Sequence, residues 1–260
     1  MTYSIAGLGG TGRDFKVRPD DRFIVGYPKS GNTWLDFIVA SMMAEKVEDV
    51  NFVTINDLVA DIHSESPLRM ARLQSPRLLK SHDYYHSEYR KVLFIVRHPY
   101  AVAVSFYYYH LKNRVFDETY SLSEFVRNWV EGKWGKSFLT WGEHTESWLD
   151  HQNSTSFLMI RYEDLKQSLD LSMEDISKFF DLAVSQERMK ETIHWCGAEN
   201  MARLEGEGLE KGFKGYKHAR KDIQFVRSSS SAVRQSLSDS DKKIISDAWG
   251  DVMARLGYEP

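Results

Sequence analysis

The stretch from residue 22 to residue 45 constrains the chain more than any other. Residues 22–27 (RFIVGY) form a short, mostly apolar run that stops at Pro28, which predicts a buried strand. Residues 32–45 (NTWLDFIVASMMAE) carry apolar residues at helical spacing, which predicts a helix packed on a sheet. Only Pro28, Lys29, Ser30 and Gly31 lie between them, so the connection is a tight turn. A strand, a glycine-bearing turn and a helix N-terminus together make an anion site. The first helical N–H groups point outward without intrahelical partners, and the helix dipole adds partial positive charge at that end.

Further elements follow the same alternation. Residues 77–81 (RLLKS) and 91–96 (KVLFIV) read as strands, and the second is so apolar that it belongs in the middle of a sheet. Pro99, after Arg97 and His98, suits the first turn of a helix over residues 100–112 (YAVAVSFYYYHLK). Residues 122–132 and 138–152 read as helices bearing Trp129, Trp141 and Trp148, and residues 156–161 (SFLMIR) read as another interior strand. Tyr162-Glu163-Asp164-Leu165 opens the next helix, and residues 172–180 and 186–194 are helical in pattern. Residues 205–225 are charged, contain Gly206, Gly208, Gly212 and Gly215, and show no clear period, which predicts a mobile loop near the active site. Residues 242–256 form a terminal amphipathic helix, capped by a Ser or Asp before it and closed by Gly257. Interior strands alternating with helices predict an α/β, three-layer, P-loop-like fold with a central, mainly parallel sheet flanked by helices. The 260 residues suffice for one such domain, with residues 1–20 as an N-terminal extension.

Composition removes several function classes. Lys and Arg number 34 against 37 Asp and Glu, a net charge of −3, which gives no support for a nucleic-acid partner. The single cysteine, Cys196, excludes an internal disulfide and a multi-cysteine zinc site. The N-terminus lacks a basic start followed by an apolar core, and no run approaches the ~18 apolar residues of a membrane span. No membrane partner and a cytoplasmic location are therefore expected.

The turn departs from the Walker A pattern in an informative way. Asn32-Thr33 stands where a Lys-Ser/Thr pair would follow the second glycine, and the one lysine, Lys29, lies inside the loop. At the end of the 91–96 strand, where a Walker B strand places a Mg²⁺-binding Asp, the chain has Arg97. A cation there binds an anion directly and disfavours a nearby metal. The chemistry implied is metal-free group transfer from a phosphorylated nucleotide, and a sulfuryl group suits it because it carries less charge than a phosphoryl. Gly7-Leu-Gly-Gly-Thr-Gly is a near-dinucleotide pattern without a useful strand before it or an apolar helix after it, so a Rossmann reading fails.

These residues resemble a known family. Tyr27-Pro-Lys-Ser-Gly-Asn-Thr-Trp34 looks like the 5′-phosphosulfate loop of the cytosolic-type sulfotransferases, and the segment from Arg97 through Ser105 looks like their 3′-phosphate segment. Leu78-Leu-Lys-Ser-His82 resembles the strand end that carries their catalytic histidine, and Arg161-Tyr-Glu-Asp164 resembles their Tyr-Glu-Asp element. The order and spacing agree from about residue 22 to residue 182. The family moves a sulfuryl group from 3′-phosphoadenosine-5′-phosphosulfate (PAPS) to an alcohol, phenol or amine and releases 3′-phosphoadenosine-5′-phosphate (PAP). The resemblance implies that Lys29 contacts the bridging oxygen of the phosphosulfate, while Ser30, Gly31, Asn32 and Thr33 cradle the 5′-phosphate. It further implies that Trp34 stacks near the adenine, Tyr162 reaches it, and Arg97 and Ser105 hold the 3′-phosphate. The C-terminal Arg-Lys-Gly signature is only partly present, as Arg227-Ser228-Ser229: Arg227 is carried over as a 3′-phosphate ligand, and Ser228 and Ser229 as backbone donors. Arg234 substitutes for a cation further on, and Cys196-Gly-Ala198 replaces a Ser/Thr-x-Phe pair, which makes the base pocket less aromatic there.

An acceptor hydroxyl must lose its proton as it attacks sulfur, and histidine suits that task. Among 9 histidines, His82 follows a strand and should sit at the carboxyl edge of the sheet, where α/β sites form. The competing reading is an exposed loop histidine, with His86 as the alternative base. His98 at a helix start reads as structural and His110 on an aromatic helix as packed. Lys80 either stabilises charge on the sulfuryl oxygens or is a solvated strand-end lysine. Phe106 to Tyr109, with Trp129, Trp134 and Trp141, either wall an acceptor pocket or are plain core. Lys211, Lys214, Lys217 and Lys221 either attract a polar acceptor or face solvent. The expected partner is a small-molecule acceptor such as a metabolite alcohol. A P-loop nucleotide kinase and a non-catalytic nucleotide-binding module remain as alternatives, and no self-association motif stands out.

Overall fold

The computed structural model describes residues 15–135, 137–153, 156–210, 219–220, 222–223 and 237–259. Strands β1 (Arg22–Val25), β2 (Ala60–Asp61), β3 (Leu78–Ser81), β4 (Val92–Val96) and β5 (Phe157–Arg161) form one sheet in the order β2-β3-β1-β4-β5. Every neighbouring pair is parallel, with Val25 level with Ser81 on one side and with Phe94 on the other. Parallel strands need crossover connections, so helices cover both faces. They are α1 (Asn32–Met43), α2 (Ile55–Leu58), α3 (Pro67–Arg72), α4 (Pro99–Lys112), α5 (Leu122–Val130), α6 (Trp141–Leu149), α7 (Tyr162–Gln167), α8 (Leu169–Phe179), α9 (Gln186–Trp195), α10 (Ala198–Glu210) and α11 (Asp239–Arg255).

The two-residue period of the strands divides the core in two. Phe23, Val25, Val92, Phe94 and Val96 face a layer built from Phe106 on α4, Phe125 and Trp129 on α5, Trp148 on α6 and Met253 on α11. Ile24, Leu93 and Ile95 face the opposite layer, with Phe37 and Ile38 on α1, Ile176 on α8 and Met189 on α9. All five residues of β4 are buried between β1 and β5, which is why its sequence shows no polar alternation. The three-layer α/β architecture expected from the sequence is the one observed.

Chain order reverses at β1. The chain passes from β1 to β2 and β3 on one side, then crosses to β4 and β5 on the other. Such a switch point opens a crevice beyond the carboxyl ends of the strands. Here that crevice is bounded by Gly26, His82 and Arg97.

Two expectations need correction. Residues 205–210 are not a loop; they complete α10. Met201, Leu204 and Glu205 are buried, and a Cβ added at Gly208 would stand 3.0 Å from Phe52 Cβ. Gly208 thus continues the helical stripe as a close-packing residue, and its missing side chain hid the period. Residues 211–218, 221 and 224–236 lie outside the described residues, so the remainder of the expected loop is not tested. The terminal helix begins at Asp239 rather than residue 242, because Ser238 and Asp241 form a capping box there. Gly257 follows its end at a φ of 70°. Strand β2 and helices α2 and α3 had no sequence signal, being too short to show a period. No helix among the described residues is long and apolar enough to cross a membrane.

Candidate active site

The turn after β1 is shaped by its neighbours. A Cβ at Gly26 would lie 2.6 Å from Ile95 O, so only glycine lets β1 pass this close to β4. Tyr27 turns into the core, where its hydroxyl accepts a hydrogen bond from Trp129 Nε1 at 2.8 Å. Lys29 and Gly31 both take left-handed backbone angles, with φ 72° and 109°. Gly31 has a second requirement, since a Cβ there would meet Tyr162 Cδ2 at 2.5 Å. The loop folds back on itself through Ser30 N–H to Tyr27 O at 3.1 Å and through the Asn32 side-chain amide, which reaches Gly26.

This loop fits a phosphate group. No side chain caps α1, and the first hydrogen bond across its opening turn is from Leu35 N–H to Gly31 O at 3.0 Å. The earlier amides therefore point out of the helix end. Ser30 Oγ is buried and has no hydrogen-bond partner among the described residues. A buried hydroxyl left this way is costly unless a ligand uses it. Thr33 and Trp34 occupy the same opening turn; Trp34 donates from Nε1 to Cys196 O at 2.8 Å and meets Tyr162 edge-on at 5.6 Å between ring centroids.

Cations converge on the loop. The Lys29 ammonium lies 4.4 Å from the centroid of Tyr109, and the Arg97 guanidinium lies 4.3 Å from that of Tyr162. Arg97 Nη1 also donates to Lys29 O at 3.2 Å, tying the end of β4 to the loop. Burial, then the neighbouring charges of Lys80, Arg97 and Lys112, hold the Lys29 ammonium well below the usual lysine range. A cluster that lowers its own lysine is relieved by an incoming anion. Ser105 is half-buried on α4, one turn before Tyr109 and so on the same helix face.

His82 sits beyond β3, buried, with its ring Nδ1 2.7 Å from Gly26 O. A carbonyl only accepts, so Nδ1 carries the proton and Nε2 keeps its lone pair. Burial, then Lys80 and His63, push the His82 pKa down to about 3, so the imidazole is neutral at physiological pH. Lys80 is not a solvated strand-end lysine. Its Nζ lies 3.5 Å from Asp61 Oδ2 and 3.7 Å from Asp36 Oδ2. Burial opposes its charge, yet the two carboxylates hold its pKa above the usual lysine value. Burial raises Asp36 to about 7, against the pull of Lys80.

The structure thus brings Lys29, Ser30, Gly31, Asn32, Thr33, Trp34, Lys80, His82, Arg97 and Tyr162 to the carboxyl ends of β1, β3, β4 and β5. Arg227, Ser228, Ser229 and Arg234, with Lys211, Lys214, Lys217 and Lys221, lie outside the described residues. His86 is exposed and stacks on Tyr89, while His98 caps α4 by accepting from Tyr100 N–H. His110 is fully buried, with Nδ1 2.8 Å from Phe106 O. Phe106, Trp129 and Trp141 are core. Of that aromatic group, Tyr109 faces Lys29. Sequence reasoning missed Asp36, Asp61 and His63. Asp36 left a signal, a carboxylate interrupting the apolar run of α1; Asp61 and His63 left none.

The model of the sulfotransferase domain matches residues 19–257. Sulfotransferase 4A1 of Mus musculus is 29% identical over 194 residues, covering 70% of this chain and 67% of that protein. The amine sulfotransferase of Oryctolagus cuniculus is 29% identical over 207 residues, covering 72% of this chain and 65% of that one. Among solved structures, mouse sulfotransferase SULT7A1 complexed with PAP superposes with a TM-score of 0.72 at 21% identity, covering 96% of this chain and 89% of that one. Retinol dehydratase in a complex with retinol and PAP gives 0.74 at 16% identity, covering 92% and 83%. These structural likenesses speak for the fold.

Proposed function

The chain belongs to the sulfotransferase domain family, and from that premise we propose that it moves a sulfuryl group from PAPS to a hydroxyl or amine of a small-molecule acceptor by in-line displacement, with His82 as general base. One observation carries this reading. The 2.7 Å contact of His82 Nδ1 with Gly26 O leaves Nε2 as an acceptor, at the strand end beside the anion loop.

The donor supplies an activated sulfur with a phosphate leaving group. His82 Nε2 takes the proton of the acceptor as its oxygen or nitrogen bonds to sulfur, and the electron pair of the broken S–O bond stays on the phosphate. The products are a sulfated acceptor and PAP. Lys29 and the opening amides of α1 stabilise the charge that grows on that phosphate, which is where preorganised donors act most strongly. Lys80 lies close enough to influence both Lys29 and His82, which supports a role in balancing charge on the sulfuryl oxygens. Arg97 and Ser105 are assigned to the 3′-phosphate, and the Trp34–Tyr162 pair to the adenine. The low pKa of His82 belongs to the protein alone; the negative charge of a bound donor raises it toward a useful range. Complexes of the structural neighbours support the donor, since SULT7A1 and retinol dehydratase were both solved with PAP.

The test is incubation with ³⁵S-labelled donor and a panel of alcohols, phenols and amines. The expected result is label on at least one acceptor with a mass gain of one sulfuryl group. Mg²⁺-dependent turnover of a nucleoside triphosphate would favour a kinase. Tight PAP binding with no transfer to any acceptor or to water would favour a binding module.

A further inference from the structure

We propose that His63, on the turn after β2, is a positioning residue that fixes the main chain of His82, with Asp61 holding that turn in place. The proposal rests on the reading of His82 as the general base.

Strand β2 is only two residues long and lies at the edge of the sheet. With the turn after it, it delivers two side chains, Asp61 and His63, to the end of β3. Asp61 is level with Lys80, and Ile62 N–H continues the pairing by donating to Lys80 O at 3.1 Å. Asp61 Oδ1 accepts from His63 N–H at 2.9 Å, which sets the turn. His63 Nε2 then accepts from His82 N–H at 2.9 Å. A backbone amide only donates, so His63 carries its own proton on Nδ1. The two imidazoles lie nearly parallel, 13° apart in plane with centroids 5.8 Å apart.

His82 is therefore held from both strands that flank β3. On one side β1 takes the ring, through Gly26 O; on the other the turn after β2 takes the amide, through His63. The ring contact alone leaves the imidazole able to pivot about the Nδ1···O axis. The second tether removes that freedom and fixes the direction of Nε2. A reacting base displaced by about 1 Å loses on the order of 100-fold in rate, so the tether should act on turnover rather than on donor affinity.

The full-length protein tests this with PAPS as donor and 2-naphthol as acceptor, or water as acceptor where the phenol does not react. His63→Ala should lower kcat by roughly 10- to 100-fold, with the donor KM and the PAP Kd within about threefold of wild type. His63→Gln places an amide oxygen where Nε2 stands and should restore kcat to within about threefold. His63→Asn keeps a similar size and polarity but falls short of the amide, so its kcat should stay near that of His63→Ala. Wild-type kcat in His63→Ala, equal rates for the Gln and Asn variants, or a loss of PAP binding that parallels the loss of rate would each overturn the proposal. If His63→Ala does not fold, the Gln and Asn pair decides alone. An inactive His82→Ala beside an unaffected His63→Ala sinks this inference only. A fully active His82→Ala sinks the base assignment and this inference with it.

Discussion

The anion loop and the surroundings of His82 occupy adjacent strand ends, but they are built by opposite means. Residues 26–34 make the loop from contiguous backbone: two left-handed residues, an uncapped helix start and one buried hydroxyl. His82 is held by a side chain and a carbonyl from separate segments, at His63 and Gly26, next to the cluster of Lys80 with Asp36 and Asp61. The loop joins Lys29 to the open amides of a helix start, and its Ser30 hydroxyl is buried without a hydrogen-bond partner among the described residues, which suits a ligand that arrives with its own charge. The ring and the amide of His82 are both paired within the protein, which suits a side chain that must be aimed before any ligand arrives. Changes in the loop should thus alter binding and rate together, whereas changes around the base should alter rate alone.

The largest expected effect is that of His82→Ala. A general base contributes typically 10²- to 10⁴-fold, so kcat should fall by about 10³-fold while PAP affinity, read by calorimetry, stays within a few-fold of wild type. Retained turnover would remove the distinction between the two regions. Lys29→Ala comes next, with a loss of about 10²-fold in kcat/KM from missing charge stabilisation and weaker PAP binding besides. Unchanged PAP binding would move Lys29 out of the loop's function. Gly31→Ala should cost roughly 1–3 kcal/mol of stability, because φ is 109° and the new Cβ meets Tyr162 at 2.5 Å; urea denaturation reads it, and PAP affinity should fall in step.

A different effect is a pH dependence of stability set by four buried groups, of which His82 and Asp36 belong to the region of the base and His110 and His144 to the core. His82, His110 and His144 are buried and pushed down to about 3, 4 and 4, while Asp36 is pushed up to about 7. For the three histidines burial is the main cause. As pH falls below about 6.5, the unfolded chain gains histidine protons that the folded one refuses, so their contribution, complete above that pH, is lost. Asp36 works the other way, since the folded state takes its proton first. Three histidines against one carboxyl leave a net loss of about 2–3 kcal/mol of unfolding free energy per pH unit between pH 6 and 5. Urea titrations at those two pH values check it, and equal stabilities would mean that these groups are solvated.

How much of this was legible follows from how each region is built. The loop announced itself because a strand, a glycine turn and a helix start are consecutive in sequence, and so are the residues that bind through their backbone. β4 was legible because an unbroken apolar run has few places to go. The surroundings of His82 were not, because β2 is two residues long and Asp61 and His63 gain meaning only when β2 lies beside β3. The sequence leaves Lys80 open between a role on the sulfuryl oxygens and a solvated strand end, and its contacts with Asp36 and Asp61 rule out the second. Gly206 and Gly208 suggested a loop where α10 continues, since a glycine packed against Phe52 looks the same in sequence as one in a turn.

By itself the sequence determined the alternation of strands and helices, the anion loop and the strand-end position of His82. Each of these depends on interactions between near neighbours in the chain. Only the tertiary structure decided which lone pair of His82 is available and what holds it there. That outcome depends on a carbonyl 56 residues away and on an imidazole 19 residues away, brought together by the order in which parallel strands line up.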